Sequence, residues 1–328
     1  MIKKSRCLGF GGVVAAVLLC GLSISPRSCQ AQANSLESSS ESATAAADAK
    51  AQFNTHQAGA KDGDVKALFE LARDYERGRG TEKDPTKAAD YARQAAEKGD
   101  PAAQTLLGSY YGRGFGVARN ATEAVSWYRK AADQGYALAQ LAMGGFYRAG
   151  NGVRADLKQA IGWFKKAAEQ NNASAQCELG NIYFNGGFTG DTNHANYHES
   201  VKWLQKAADQ GYVGAMNNLG LAYMYGLGGL KIDFFTAEKW LRQAADNGVA
   251  GAQAGLGELY LNGTKGVPPN RIEAYVWYSL AARGDNVEGK HTAKQVAAVL
   301  TPAELQKAAE MIRSYDEHHN EPAPTGAQ

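Results

Sequence analysis

Residues 101–136 read PAAQTLLGSYYGRGFGVARNATEAVSWYRKAADQGY, and this stretch decides the fold. Ala103, Leu107, Gly108 and Tyr111 have the spacing of one stripe on an α-helix, which we call helix A. The spacing therefore predicts a helix with one buried face.

The rest of the stretch predicts a turn and a second helix, helix B. Gly114 and Gly116 suit the end of helix A and a tight reversal. Asn120 then has the position of an N-cap, and Trp127 and the Ala131-Ala132 pair lie on the inward face of helix B. A glycine inside helix A costs about 1 kcal/mol relative to alanine, so we expect a neighbouring helix to approach it closely, with the aromatic residue of helix B filling the remaining gap.

This pattern occurs six times along the chain. The helix A tyrosines are Tyr75, Tyr111, Tyr147, Tyr183, Tyr223 and Tyr260, spaced by 36, 36, 36, 40 and 37 residues. The predicted helix B N-caps are Asp84, Asn120, Asp156, Asn196, Asp233 and Asn270. A period in this range is typical of a solenoid, in which each repeat buries its apolar face against its neighbours.

The motif Ala-Gln-x-x-Leu-Gly-x-x-Tyr, then Gly-x-Gly-Val, then Ala-x-x-Trp-Tyr-x-Lys-Ala-Ala resembles the Sel1-like repeat, a relative of the tetratricopeptide repeat. The resemblance covers residues 64–284. It implies an all-α protein, a right-handed α/α superhelical solenoid of six helix-turn-helix repeats with N- and C-terminal capping helices. It also implies that helix A side chains line a concave surface that binds proteins or peptides.

The predicted organisation has five parts. Residues 1–33 form a secretory signal peptide, and residues 34–60 form a flexible linker that runs into an N-capping half-repeat helix. The six repeats occupy residues 61–285, two capping helices residues 286–316, and a disordered tail residues 317–328. The linker and the tail contain few large apolar residues, which is why we expect them not to order by themselves.

The signal peptide is predicted from a basic start, an apolar run from Cys7 to Ile24 and the small-x-small site Ala31-Gln32-Ala33. The alternative is a retained membrane anchor, which the short, glycine-interrupted run disfavours. Cleavage after Ala33 predicts a periplasmic or secreted protein without a stable membrane anchor.

Cleavage would also change the charge and the cysteine count. It removes four cations, Lys3, Lys4, Arg6 and Arg27, and shifts the formal net charge from +2 to −2. A near-neutral chain without basic clusters argues against a nucleic-acid partner. Cys177 would be the only cysteine left, so no intramolecular disulfide could form, and we expect a monomer.

No catalytic or cofactor motif is found. Some proteins with these repeats are labelled β-lactamases, but Ser-x-x-Lys, Ser-Asp-Asn and Lys-Thr-Gly do not occur in this chain. Gly-x-x-x-x-Gly-Lys-Ser/Thr, His-Glu-x-x-His and Cys-x-x-Cys do not occur either. The sequence therefore predicts a protein that is not an enzyme and has no cofactor, with an envelope hydrolase as the disfavoured alternative.

Two features leave a second interpretation open. An insertion in the fourth repeat carries Asp191, His194 and His198, a spacing compatible with zinc, although an exposed connector is favoured because the histidines straddle the start of a helix. Cys177 could be a reactive thiol, but a packed and inert one is favoured because no basic residue is adjacent to lower its pKa.

The candidate partner-binding residues lie on helix A positions outside the Leu-Gly-Tyr stripe. They are Phe69, Arg73, Arg113, Arg148, Asn181, Asn185, Asn217, Met224, Tyr225, Glu258 and Asn262. Asparagine can hydrogen-bond any peptide backbone, and methionine and aromatic residues adapt to a partner. We therefore expect an extracytoplasmic scaffold or regulator that holds a protein or peptide in this groove; a purely structural scaffold in the envelope is the further alternative.

Overall fold

The chain forms the predicted all-α solenoid in the computed structural model, which describes residues 26–186, 196–263, 268–284 and 286–320, without the side chains of residues 26–43 and 320. Six A helices are α2 (Val65–Arg77), α4 (Pro101–Arg113), α6 (Ala137–Ala149), α8 (Ala173–Phe184), α10 (Val213–Tyr225) and α12 (Ala250–Asn262). Six B helices are α3 (Pro85–Glu97), α5 (Ala121–Asp133), α7 (Leu157–Glu169), α9 (Tyr197–Asp209), α11 (Phe234–Asp246) and α13 (Arg271–Arg283). The terminal helices are α1 (Pro26–Lys61), α14 (Val287–Ala297) and α15 (Pro302–Asn320).

All six predicted helix B N-caps are confirmed. Each side chain accepts a hydrogen bond from a backbone N–H in the first turn, as Asn120 does from Thr122 and Glu123 at 3.1 Å. Each cap residue also donates its own backbone N–H to the carbonyl of the preceding helix A tyrosine, for example Asn120 to Tyr111 at 2.9 Å. The cap residue therefore both starts helix B and fixes the reversal between the two helices.

The glycine of helix A marks the contact with helix B of the same repeat. A Cβ added to Gly144 would lie 2.5 Å from the Phe164 ring, and one added to Gly180 would lie 2.5 Å from Leu204. The residue that fills this space follows the helix B tryptophan by one position, and it is leucine in two repeats. The expectation of an aromatic filler is therefore correct for only some of the repeats.

Glutamine side chains connect successive repeats, which the sequence analysis did not foresee. Buried Gln140 of α6 donates to the carbonyl of Ala132 in α5 at 3.1 Å and accepts from Gln170, which follows α7, at 2.8 Å. Equivalent pairs join Gln104 to Ala96 and Gln134, and Gln176 to Ala168 and Gln210. We call each such pair of glutamines a glutamine relay. Each relay donates a hydrogen bond to a carbonyl near the end of a B helix, and this carbonyl would otherwise be buried without a partner.

Helix α1 takes the place of a B helix in front of the first repeat. In the second repeat, Gly116 (φ +67°) approaches so closely that an added Cβ would lie 1.8 Å from the carbonyl oxygen of Pro85, at the start of α3. Gly80 (φ +68°) makes the same approach to Ala49 of α1, at 2.2 Å. The side chains of Phe53 and Tyr75 pack edge-to-face beside this contact, with ring centroids 5.4 Å apart.

The two ends extend further as helix than the sequence suggests. Residues 34–60, predicted to begin as a flexible linker, lie within α1, and α15 continues to Asn320, beyond the predicted boundary at residue 316. Residues 44–60 are rich in alanine, which favours helix, and Phe53 of this segment is buried against the first repeat. Within the described segments, no helix is long and apolar enough to cross a membrane.

Candidate partner-binding groove

The A helices form the inner layer of the solenoid. Helix α10 directly contacts both α8 and α12, whereas no two B helices of the described residues contact each other as extensively. Because the A helices are the more closely spaced ones in these C-terminal repeats, the array curves toward them there. The exposed side of the A helices is therefore the concave groove that the resemblance implies.

The floor of the groove is open in the second and third repeats. A Cβ added to Gly145 of α6 would meet no atom within 4 Å, and one added to Gly112 of α4 would meet only the Cβ of Ala124, at 3.9 Å. Thr105 and Ser109 of α4 add only short side chains to the same surface. The side chains of this surface are therefore small, and the space next to Gly145 is free.

Two predicted arginines lie close to these small residues along α4 and α6, and both are bound to the protein itself. Arg113 donates to Glu76 of α2 at 3.2 Å, and Arg148 donates to Glu178 of α8. Their side chains nevertheless stay 56% and 47% exposed, so each guanidinium can still contact a partner. The ion pairs hold the arginines in place across neighbouring repeats, and pairs this exposed add little stability.

An amide ladder occupies the centre of the groove. Asn218 of α10 donates to the side-chain oxygen of Asn181 of α8 at 2.6 Å, and Asn217 donates to that of Asn218 at 2.8 Å. Asn181 in turn donates to the sulfur of Cys177 at 3.5 Å. The side-chain oxygen of Asn217 is buried and has no hydrogen-bond partner among the described residues. This oxygen lies next to Gly251 of α12, where an added Cβ would be 3.4 Å from it, so a partner in the groove does not reach it.

The last two A helices give the groove a tyrosine and a carboxylate. The Tyr225 hydroxyl donates to Glu258 at 2.7 Å, and the Tyr225 ring is 48% exposed. Burial of the hydroxyl, together with Glu258, raises the pKa of Tyr225, so this hydroxyl stays protonated and remains a donor. Asn262 is exposed at the end of α12.

The first repeat contributes less to the groove than the sequence predicts. Arg73 lies over the Phe69 ring, with its guanidinium carbon 5.7 Å from the ring centroid, and its nearest carboxylate is Glu70 at 3.8 Å. Both predicted residues are half-buried. They form a small apolar and basic surface at the N-terminal end of the groove.

Met224 does not belong to the groove. Its side chain is 6% exposed and packs in the hydrophobic core of the C-terminal repeats. Helical spacing places it on the same face of α10 as Asn217, seven residues earlier, but spacing within one helix does not show which positions on that face a neighbouring helix covers. By contrast, Asn185 is exposed at the C-cap of α8.

Cys177 is packed in the core of the C-terminal repeats. The side chain is 4% exposed, and burial, together with Glu178, raises the pKa of the thiol to about 11. The thiolate is the reactive form, and at neutral pH it is scarcely populated here. The structure thus agrees with an inert thiol.

The candidate zinc ligands are only partly described. Asp191 and His194 lie outside the described residues, and His198 is exposed in the first turn of α9. In the segments that the structure covers, no group of three histidine, cysteine or carboxylate side chains could hold a metal ion. The zinc hypothesis stays untested.

Two groove residues were missed by the sequence analysis. Glu178 pairs with Arg148, and Asn218 carries the centre of the ladder. Each precedes the glycine of its A helix by two positions. A polar residue two positions before the helix A glycine could have identified both, because this position lies beside the predicted groove positions of the neighbouring repeat.

Comparison with known proteins agrees with this architecture. Six consecutive segments match the model of the Sel1 repeat, namely residues 65–100, 101–136, 137–172, 173–212, 213–249 and 250–286. A search of curated proteins finds no significant match.

Two solved structures are similar to this chain. One is c5321, described as a protective antigen present in uropathogenic Escherichia coli strains and displaying an SLR fold, with 32% identity and a TM-score of 0.75. The match covers 85% of this chain and 62% of the E. coli protein, so this chain corresponds to about three fifths of that protein. The other is a Sel1 repeat protein from Oxalobacter formigenes, with 34% identity, a TM-score of 0.58, and coverage of 67% of this chain and 88% of that one.

Proposed function

The chain belongs to the Sel1 repeat family, and we propose that it is a non-catalytic extracytoplasmic scaffold or regulator that holds a partner protein or peptide in its concave groove. Sel1 repeat proteins generally act as protein-interaction scaffolds, and Sel1 repeats mediate protein–protein interaction. For this chain, we propose in addition that the partner binds in the groove and that the protein acts outside the cytoplasm.

The observation that carries the proposal is the amide ladder on the A helices, together with the free space next to Gly145 on α6. A Cβ added to Gly145 would meet no atom within 4 Å, and Arg148 follows three residues later. The ladder from Asn181 to Asn217 offers amide donors and acceptors that suit a peptide backbone. A peptide segment lying along the groove would contact both features, so it could pack a side chain at one and form hydrogen bonds at the other.

A pair of glycines allows a matched test of the groove. Gly145 faces the groove on α6, whereas Gly162 is exposed on helix B α7, and a Cβ at either position meets no atom within 4 Å. We expect Gly145→Trp to fill the groove and Gly162→Trp to leave it open, with both variants folded.

The measurement is crosslinking capture of partners from the native cell envelope, quantified by mass spectrometry. Partners captured by the parent protein and by Gly162→Trp should be lost from Gly145→Trp and reduced with the double variant Asn181→Ala, Asn217→Ala. Retention of the same partners by Gly145→Trp at the parent level would show that the groove is not the binding surface.

Location outside the cytoplasm is supported by the leader-like pattern of residues 1–33. The expected mature N-terminus is Asn34, which intact-mass measurement on protein from the envelope fraction would identify. An uncleaved chain in the cytoplasmic fraction would contradict this part of the proposal and leave the groove assignment unaffected.

A further inference from the structure

Two apolar side chains, which we call the apolar pair, are exposed at the start of α11 in the fifth repeat. Ile232 directly precedes the N-cap Asp233, and Phe235 is the second residue of α11. Their side chains are 59% and 67% exposed. The equivalent residues of the first two repeats are polar, namely Lys83, Thr86, Arg119 and Thr122. Because those repeats fold with polar residues there, stacking of the repeats does not require the apolar pair.

The backbone around the apolar pair is held by close contacts. A Cβ added to Gly228 (φ +69°) would lie 2.4 Å from the carbonyl oxygen of Tyr197, so the loop before α11 packs tightly on the start of α9. Asp233 donates its backbone N–H to the carbonyl of Tyr223 at 3.1 Å, and its side chain accepts from the backbone N–H of Thr236 at 3.1 Å. The apolar pair is therefore exposed on an anchored segment.

Two lysines without a carboxylate partner flank the apolar pair. Lys231 precedes Ile232 in the loop. Lys239 follows Phe235 by four residues, which places both side chains on one face of α11. Both lysines are exposed, and neither nitrogen lies within 4 Å of a carboxylate oxygen of the described residues. These two positive charges are thus available to a partner.

The carboxylates of the same segment are engaged within the protein. Residues 231–242 carry three cations and two carboxylates, a formal net charge of +3 − 2 = +1. Asp233 accepts hydrogen bonds from the backbone N–H and from the hydroxyl of Thr236. Glu238 pairs with Arg242 at 2.9 Å. The charges left free to contact a partner are therefore those of the two lysines.

These features favour a lipid surface as the occupant. A stable protein interface buries about 1,200–2,000 Å², far more than two protruding side chains supply, whereas a fluid lipid layer takes up apolar side chains without a matching shape. A second copy of this chain on the same surface would bring like-charged lysines together. A layer of anionic headgroups instead attracts the lysines while the apolar pair enters the acyl boundary.

We propose that this surface is a second interaction site, at which Ile232 and Phe235 insert into an anionic lipid surface while Lys231 and Lys239 contact the headgroups. The contact is peripheral and reversible, because a single pair of apolar side chains buries much less surface than a lipid anchor. The site lies on a B helix and its preceding loop, whereas the groove lies on the A helices. Neither proposal depends on the other.

Sedimentation with lipid vesicles tests the proposal. Protein purified from the cell envelope is mixed with vesicles of phosphatidylcholine alone, or of phosphatidylcholine and phosphatidylglycerol in equal parts. We expect binding to the anionic vesicles to exceed binding to the neutral ones by about tenfold or more, and to weaken as salt is added. Comparison with variants then removes any binding that other parts of the chain contribute.

The variants separate the apolar contribution from the charged one. The double variant Ile232→Ser, Phe235→Ser should weaken binding to the anionic vesicles by about tenfold or more. The double variant Lys231→Gln, Lys239→Gln should weaken it by about tenfold and remove most of its salt dependence. All four side chains are exposed, so thermal unfolding should stay close to that of the parent protein. Val287→Ser is the matched control, since Val287 is 79% exposed at the start of α14 and should not affect binding.

A fluorescent label reports insertion at the site itself. Nitrobenzoxadiazole attached to Phe235→Cys should shift its emission to shorter wavelength when anionic vesicles are added, and the same label on Val287→Cys should not. Cys177 does not compete for the label, because it is 4% exposed and its thiol pKa is raised by burial.

Three results would overturn the proposal. Equal binding to neutral and anionic vesicles, or binding unchanged by the two serine substitutions, would show that the apolar pair does not insert. A short DNA duplex that binds as tightly as the anionic vesicles, with neither affected by those substitutions, would indicate a general polyanion surface. Self-association in light scattering that the serine substitutions abolish, without vesicle binding, would show that the apolar pair docks a second copy of the chain.

Discussion

Each A helix has a core-facing side and a groove-facing side, and the two sides differ in how much their contacts vary from repeat to repeat. On the core side, the glycines Gly108, Gly144, Gly180, Gly220 and Gly257 each receive a side chain of helix B. On the groove side, α4 and α6 expose small residues, α8 and α10 an amide ladder, and α12 a carboxylate. The core contact is the same at each step because stacking imposes it, whereas the groove contacts change from repeat to repeat. The variable face is the one that can distinguish partners.

The largest expected change in the free energy of unfolding comes from a substitution on the core side of α8, compared with one on its groove side. Leu179 is 1% exposed, and Leu179→Ala should lower the free energy of unfolding by about 2–5 kcal/mol because it leaves a cavity. Asn181 lies two residues later, on the groove side. Asn181→Ala should lower the free energy of unfolding by at most about 1 kcal/mol. Urea unfolding followed by circular dichroism measures both. Equal losses would mean that Asn181 is a core residue.

Two adjacent glycines of α6 sharpen the contrast. Gly144→Ala should lower the free energy of unfolding by about 1–3 kcal/mol, because the new Cβ overlaps the Phe164 ring. Gly145→Ala should raise it by about 0.5–1 kcal/mol, because alanine favours helix and the Cβ meets open space. Thermal unfolding of the two variants side by side tests this. A gain in stability from both would show that the core contact can relax.

The glutamine relay is a polar contact on the core side. Gln176→Leu should lower the free energy of unfolding by about 1–3 kcal/mol, because the carbonyl of Ala168 loses its side-chain donor and Gln210 loses one of its two acceptors. Gln205→Leu serves as the control, because Gln205 of α9 is half-buried and donates to Asp209 of the same helix at 2.8 Å. Hydrogen exchange should show faster opening around Ala168 in the first variant alone. An unchanged stability would mean that water replaces Gln176.

The smallest effect concerns the ion pair across the groove. A double-mutant cycle on Arg148 and Glu178 should give a coupling energy of about 0.2–1 kcal/mol, because both side chains reach solvent. The coupling should shrink as salt is added. A larger coupling energy that does not change with salt would indicate that the ion pair is shielded from solvent, in which case Arg148 would not be available to a partner.

Much of the groove could be read from the sequence because helical spacing alone separates the Leu-Gly-Tyr stripe from its opposite face. Phe69, Arg73, Asn181, Asn217 and Glu258 were placed on that face in this way. Met224 was placed there wrongly: it shares a helical face with Asn217, but its side chain is buried in the core of the C-terminal repeats, which spacing within one helix does not reveal. Glu178 and Asn218 were missed because their importance comes from partners about one repeat away.

By itself, the sequence determined the repeat, its two helices, their N-caps and the order of the six units, because these depend on contacts between residues close in the chain. The tertiary structure alone decided which groove residues bind each other and where the floor is open. It also decided that α15 packs against α13, with the Tyr315 ring on Trp277. These features depend on how far one helix lies from the next, and local spacing does not encode that distance.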